Sequence, residues 1–294
     1  MLRRDALIAT AAAGAMLAAP ALAQARTRLR FAVTDVDGSE NLQREFGPFK
    51  TAFERVVPNV EVALFPVSGR TAAVEAMAAN QVELVLTGPA EYVVFHARLR
   101  VQPVVVWQRP DYFSQIVVLS EGPIKRLADL RGRRISFGEI GSTSQHLGPA
   151  QILLDQGQLA YNRDYQAMFL RRNVALEALR RGDLAAIGMN LTHIQQMRRA
   201  VPDVKLSVIG RGADLPDDLI IAAPSLAAPM VETVRRAFVD HAAPLMQAVL
   251  QVEANARWSG GTFLPNVSDR DYDVIRAMYR VIGINEFTRF IEQG

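Results

Sequence analysis

The segment Gly138-Glu139-Ile140-Gly141-Ser142-Thr143-Ser144 holds three consecutive hydroxyl side chains directly after a glycine. It follows an apolar stretch, Arg134-Ile135-Ser136-Phe137, and precedes a pattern that reads as a helix over 144–156. Hydroxyls on a first helical turn lie beside backbone N–H groups that have no partner within the helix, and the helix dipole favours negative charge there. Neutral donors of this kind suit a tetrahedral oxyanion. The same residues also satisfy a plain serine N-cap. They do not make a nucleotide phosphate loop, because no Gly-Lys-[Ser/Thr] follows.

Other chemistries find less support. The four histidines, His96, His146, His193 and His241, never reach H-x-x-H or H-E-x-x-H spacing, so no zinc site is indicated. His146 follows the hydroxyls, but the segment is not G-x-S-x-G, so a hydrolase triad is not supported and His146 is expected on the helix surface or the cleft rim. Cysteine is absent, which excludes disulfides, thiol nucleophiles, thiolate metal sites and a lipidated cysteine. Neither catalysis nor a cofactor is expected.

Composition narrows the class further. Across 294 residues, half are hydrophobic and 21% charged, which suits a packed globular chain. Lys+Arg 33 against Asp+Glu 30 leaves a formal charge of +3. All but three of the basic residues (Lys50, Lys125, Lys205) are arginine, and none forms a long basic run, so a nucleic-acid surface is not indicated. Residues 1–25 combine Arg3-Arg4, an apolar run and a small-residue ending at Ala21-Leu22-Ala23-Gln24-Ala25, the pattern of a cleaved export signal. A soluble, exported monomer is expected.

The elements that must position the hydroxyl segment alternate strand and helix. Strands are expected near 29–33, 60–65, 82–86 and 101–107, with helices over 45–57, 71–79 and 90–97 between them. A second series runs from 114 to 223, with its last strand over 219–223, and the final 70 residues are mainly helical. This alternation predicts an α/β fold of two lobes, each a mostly parallel sheet flanked by helices. Residues 26–110 and 224–294 would form lobe one and 111–223 lobe two, with crossings at 107–110 and 223–224. The ligand would lie in the cleft between lobes, at the carboxyl ends of strands. Asn190, closing one expected strand, is a plausible neutral contact there.

Several stretches resemble, in order and spacing, the phosphate/phosphite/phosphonate ABC-transporter substrate-binding proteins, a family with the type II periplasmic binding fold. The hydroxyl segment is similar to that family's helix start. Thr71 to Leu84 resembles a helix–strand signature, Gly88-Pro89-Ala90-Glu91-Tyr92 a Gly-Pro-Ala-x-Tyr turn, and Leu127 to Arg134 a lead-in. Val267-Ser268-Asp269-Arg270-Asp271-Tyr272-Asp273 resembles a late segment. The resemblance implies that Ser142, Thr143 and Ser144 bind an oxyanion from lobe two and that Tyr92 adds a phenol donor from lobe one, unless it is a wall aromatic. Two departures bear on the ligand. Arg70 stands where phosphonate binders resemble one another in having tyrosine, and Arg172 stands near a usual histidine. With both in the cleft, guanidinium forks would favour a small inorganic oxyanion, phosphate or phosphite, over a zwitterionic aminophosphonate. Asp218, in the acidic turn Asp217-Asp218, is similar to one that phosphonate binders use toward an amine. Here it could instead accept a proton from a protonated oxyanion, pair with Arg172, or be a solvated turn. The resemblance implies a periplasmic receptor that closes on its ligand and delivers it to an ABC permease. Similar proteins serve instead as periplasmic sensors for a membrane histidine kinase, and that alternative stays open.

Overall fold

Strand β1 (Thr27–Val33) exposes Thr27 and Arg28, then buries Leu29, Phe31, Ala32 and Val33. Helix α1 (Ser39–Val56) answers with Leu42, Phe46, Phe49 and Phe53 along one face, the spacing that turns an apolar stripe toward a sheet. The computed structural model describes residues 26–36 and 38–290. The export signal expected over 1–25 lies outside the described residues.

The chain continues through β2 (Val60–Leu64), α2 (Arg70–Ala78), β3 (Leu84–Thr87), α3 (Pro89–Leu99) and β4 (Gln102–Trp107). A second group follows: β5 (Phe113–Leu119), β6 (Arg134–Phe137), α4 (Gly148–Asp155), β7 (Gln166–Phe169), α5 (Arg172–Arg180), β8 (Ala186–Asn190), α6 (Leu191–Ala200) and β9 (Leu206–Asp214). The last group is β10 (Asp218–Ala222), α7 (Ala228–Asp240), α8 (Ala242–Val249), β11 (Phe263–Leu264) and α9 (Asp273–Val281). In the mainly helical final 70 residues, α7 and α8 are parted at His241, with Pro244 in the first turn of the second.

One sheet has the order β11-β4-β10-β3-β1-β2 and the other β7-β6-β8-β5-β9. Each carries apolar residues on both faces. In the first, Phe46, Phe49, Trp107, Phe238 and Trp258 gather on one face, and Val74, Val93, Phe95 and Ile275 on the other. Burying each large side chain of this kind contributes about 1.5–3 kcal/mol. No helix among the described residues is long and apolar enough to cross a membrane.

The sheets are mixed, not mostly parallel. β1 pairs in parallel with β2 and β3, and β6 with β7 and β8. β10 runs antiparallel to β3 and β4, and β5 antiparallel to β8 and β9. A βαβ crossover forces parallel neighbours, but β5 and β10 each arrive from the other sheet, so that constraint does not act on them. The strand over 219–223, expected in the second series, is β10 of the first sheet. The return crossing therefore falls at residues 215–217 and not at 223–224. The two crossings are bonded to each other: the Leu215 N–H donates to the Tyr112 carbonyl at 2.8 Å and the Arg109 N–H to Asp217 Oδ1 at 2.7 Å.

Candidate functional site

The segment after β6 does not enter an ordinary helix. Gly141 takes φ 77°, a left-handed conformation that costs glycine little. The Ser142 carbonyl then accepts from both the His146 and Leu147 N–H groups at 3.0 Å. This makes Thr143–Leu147 a π-type turn before α4, a widened form that recurs at functional sites. Ser142, Thr143 and Ser144 are all buried within it.

His146 holds this loop from beneath. Its Nδ1 accepts from the Gly141 N–H at 3.0 Å, so the ring proton sits on Nε2, 3.0 Å from the Tyr161 hydroxyl. Burial, with Arg70 adding to it, pushes its pKa down to about 3, and the imidazole is neutral. The ring packs edge-on against Phe137 and Phe169. It is thus a core side chain, not one on the helix surface or the cleft rim, because an acceptor for Gly141 is needed inside.

The hydroxyls reach across the molecule. Thr143 Oγ1 accepts from the Ala90 N–H at 3.0 Å, joining the second sheet's turn to the first turn of α3. Ser144 Oγ accepts from Asn190 Nδ2 at 2.9 Å, and Asn190 Oδ1 caps α6 by accepting from the His193 N–H at 3.0 Å. Ser144 also lies against the Tyr112 phenol, whose pKa burial drives up to about 12.

These residues border a cavity of about 310 Å³ between the sheets, lined from both and from the crossings. Its walls carry four arginines, Arg70, Arg109, Arg172 and Arg257, and four carboxylates, Asp35, Glu91, Glu139 and Asp218. Among the described residues no aliphatic side chain lines it.

Arg70 is met by the protein itself. Its Nη1 donates to the Ile140 carbonyl at 2.9 Å, and its Nη2 lies 3.2 Å from Glu139 Oε2. Its Nε is 2.5 Å from Glu91 Oε1, an ion pair without the alignment of a hydrogen bond. Burial opposes its charge, but Glu91, Asp35 and Glu139 outweigh that and raise its pKa. Burial lifts Glu91 to about 7 despite Arg70. Its carboxylate lies over Gly88, where a Cβ would sit 2.7 Å from Oε2.

The other three guanidiniums are placed differently. Arg172 donates to Gln196 Oε1 at 2.9 Å, and burial lowers its pKa. Arg109 stacks on Tyr112 at 4.0 Å. Arg257 stacks on Trp258 at 4.1 Å and is 4.0 Å from Asp35. Asp218 accepts from Trp258 Nε1 at 2.8 Å, and burial raises its pKa.

Seven of the residues singled out from sequence line this cavity: Ser142, Thr143, Ser144, Arg70, Arg172, Asn190 and Asp218. Asp218 is buried on Trp258, neither a solvated turn nor ion-paired with Arg172. Tyr92 does not line it. Its hydroxyl donates to Asp269 Oδ1 at 3.0 Å and its ring packs 4.5 Å from Tyr272. Successive helical residues point about 100° apart, so the face that presents Glu91 to the cavity turns Tyr92 into the core. Sequence reasoning missed Glu91, Arg109, Tyr112, His193 and Arg257; no local pattern marks them.

Residues 31–259 match the phosphonate ABC-transporter periplasmic substrate-binding protein family. The chain belongs to that family. This phosphonate-family binding protein is therefore a periplasmic transport component and not an enzyme. It shares its fold with PhnD1 of Prochlorococcus marinus, solved in complex with methylphosphonate, at 18% identity and a TM-score of 0.67, covering 86% of this chain and 97% of that one. A binding-protein component of a phosphonate ABC transporter from Pseudomonas aeruginosa gives 18% identity, TM-score 0.62, and coverage of 86% and 85%. The periplasmic aliphatic sulphonate-binding protein SsuA of Escherichia coli gives 17%, TM-score 0.58, and 91% and 92%. At such identities these structures speak for the type II periplasmic binding fold alone.

Proposed function

We propose that this phosphonate-family binding protein captures a small phosphorus oxyanion, of the phosphate, phosphite or phosphonate type, by closing its lobes about the two crossings, and hands it to the membrane permease of an ABC importer. The observation that carries this reading is that Arg109 and Arg172, with no carboxylate within ion-pair distance among the described residues, line the same cavity as the three hydroxyls. Asp217 and Asp218 already attract Arg109, but half-buried Arg172 has no such partner among the described residues and burial lowers its pKa. A bound oxyanion supplies the missing counter-charge through charge-assisted hydrogen bonds. Asp218 adds a selective element: its carboxylate can accept from the hydroxyl of a protonated phosphorus oxyanion, which sulfate does not offer at neutral pH.

The test is calorimetry on unfolded and refolded, ligand-free protein, with phosphate, phosphite, methylphosphonate, sulfate and methanesulfonate. At least one phosphorus compound should bind, and more tightly than either sulfur compound. Tighter binding of sulfate or methanesulfonate than of all three would overturn the reading.

A further inference from the structure

We infer that the ligand carries a second negatively charged group beside its phosphorus oxyanion, a carboxylate held by Arg109, Arg172 and Arg257 around His193. This rests on the proposed function and narrows its substrate class.

The cavity's charges are unevenly met. Arg70 has Glu91 at 2.5 Å, Glu139 at 3.2 Å and the Ile140 carbonyl at 2.9 Å. On the other side, Arg257 is the only one of the three arginines with an ion pair among the described residues, to Asp35 at 4.0 Å. Asp218 attracts Arg109 and Arg257 from farther off, and among the described residues Arg172 has no carboxylate of its own. Three nitrogens there are buried with no hydrogen-bond partner: Arg172 Nε, Arg257 Nε and His193 Nδ1. Buried donors without acceptors are rare in native proteins, so a ligand is the natural source of acceptors. Arg109, Arg172, His193 and Arg257 line the same cavity. Burial first, then the charges of Arg172, Arg109 and Arg257, against that of Asp35, push His193 down to about 3, leaving a neutral ring that offers an N–H in the tautomer protonated at Nδ1.

One phosphorus oxyanion does not account for this side. It carries up to about two negative charges, and the Ser142–Ser144 turn already competes for its oxygens. A cavity of about 310 Å³ has room for about ten water molecules, more than phosphate or methylphosphonate, each of five heavy atoms, would displace. Among the described residues the Tyr112 ring is the apolar surface in the lining, and Arg109 stacks on it, so an alkyl substituent would strip water from polar groups with little apolar contact in return. An amine is poorly served on this side, where the charges of Arg109, Arg172 and Arg257 would repel it. A carboxylate matches the guanidinium fork. Phosphonocarboxylates and phosphate esters of small hydroxy acids share this chemistry.

The experiment is calorimetry on the refolded full chain with phosphonoacetate, phosphoglycolate, methylphosphonate and 2-aminoethylphosphonate. Phosphonoacetate or phosphoglycolate should bind at least about tenfold tighter than methylphosphonate, the gain expected from one added charge-assisted contact. Which of the two is tighter separates a carbon–phosphorus ligand from an ester. Arg172→Gln should shrink that ratio about tenfold, and Arg257→Gln reads the same ratio should the first variant not fold. Equal or tighter binding of methylphosphonate or 2-aminoethylphosphonate would overturn the inference while leaving the phosphorus-oxyanion reading intact. So would a variant that weakens all ligands by one common factor. Failure of every phosphorus compound, phosphate and phosphite included, would overturn both.

Discussion

The Ala90 N–H donates to Thr143 Oγ1 at 3.0 Å, and with it the first turn of α3 in one lobe is bonded to the hydroxyl turn of the other. Both groups are buried. Under the proposed closure this bond would form as the lobes meet, and Thr143 would serve closure as well as the cavity wall.

Thr143→Val keeps the shape but removes the acceptor. The unmet Ala90 donor should cost the closed form about 1–3 kcal/mol, and affinity for the bound oxyanion should fall about tenfold or more. Calorimetry reads the loss; Thr143→Ser should restore most of it.

Arg70→Met leaves Glu91 buried without its counter-charge. Breaking a buried pair in this way costs about 3 kcal/mol, measurable by urea unfolding at pH 8, where Glu91 of the parent protein is ionised. Adding Glu91→Gln should recover most of that stability, since the pair is then removed as a unit. If the single and double variants unfold alike, the two side chains are not coupled.

Glu91 also sets a pH dependence. Its ordinary pKa of 4.5 is raised to about 7 in the fold, chiefly by burial. Below 4.5 it is neutral in both states. Between 4.5 and 7 the unfolded chain gives up the proton and the folded chain keeps it, so stability falls as pH rises. Above 7 this contribution is flat. Relative to Glu91→Gln, the parent protein should therefore lose melting temperature from pH 4.5 to 7; parallel profiles would show that Glu91 does not titrate there.

His146→Phe removes the acceptor for the Gly141 N–H and the donor to Tyr161. The expected cost is about 1–3 kcal/mol, concentrated on one loop. Amide hydrogen exchange at residues 141–147 should speed up more than in α1, and oxyanion affinity should drop with it.

The hydroxyl turn was legible because the residues that make it are adjacent: glycine for the bend, then three hydroxyls after a strand. Asn190 and Asp218 were legible as residues at or beside the ends of β8 and β10. Tyr92 was not, since a five-residue likeness carries no information on which helix face meets the cavity, and one position decides between Glu91 and Tyr92. Arg109, His193 and Arg257 come from a crossing, from α6 and from a turn after α8. Only the tertiary fold brings them together, and among thirty arginines no spacing announces which will be buried. The mixed sheets escaped notice for a related reason. Alternating strand and helix implies parallel pairing only while successive strands stay in one sheet, and β5 and β10 do not.

The paired crossings have a kinetic consequence. The two crossing segments are bonded side by side, Leu215 to Tyr112 and Arg109 to Asp217; under the proposed closure they would bend together and leave the lobes one soft rotation. Arg109 lies in one of these segments, so its charge would stay nearly still while Arg172 and Thr143 move. An arriving anion thus meets a fixed cation first and the moving groups second. Capture should show two phases: a bimolecular encounter slowed by salt, then a first-order closing step whose rate saturates with ligand concentration.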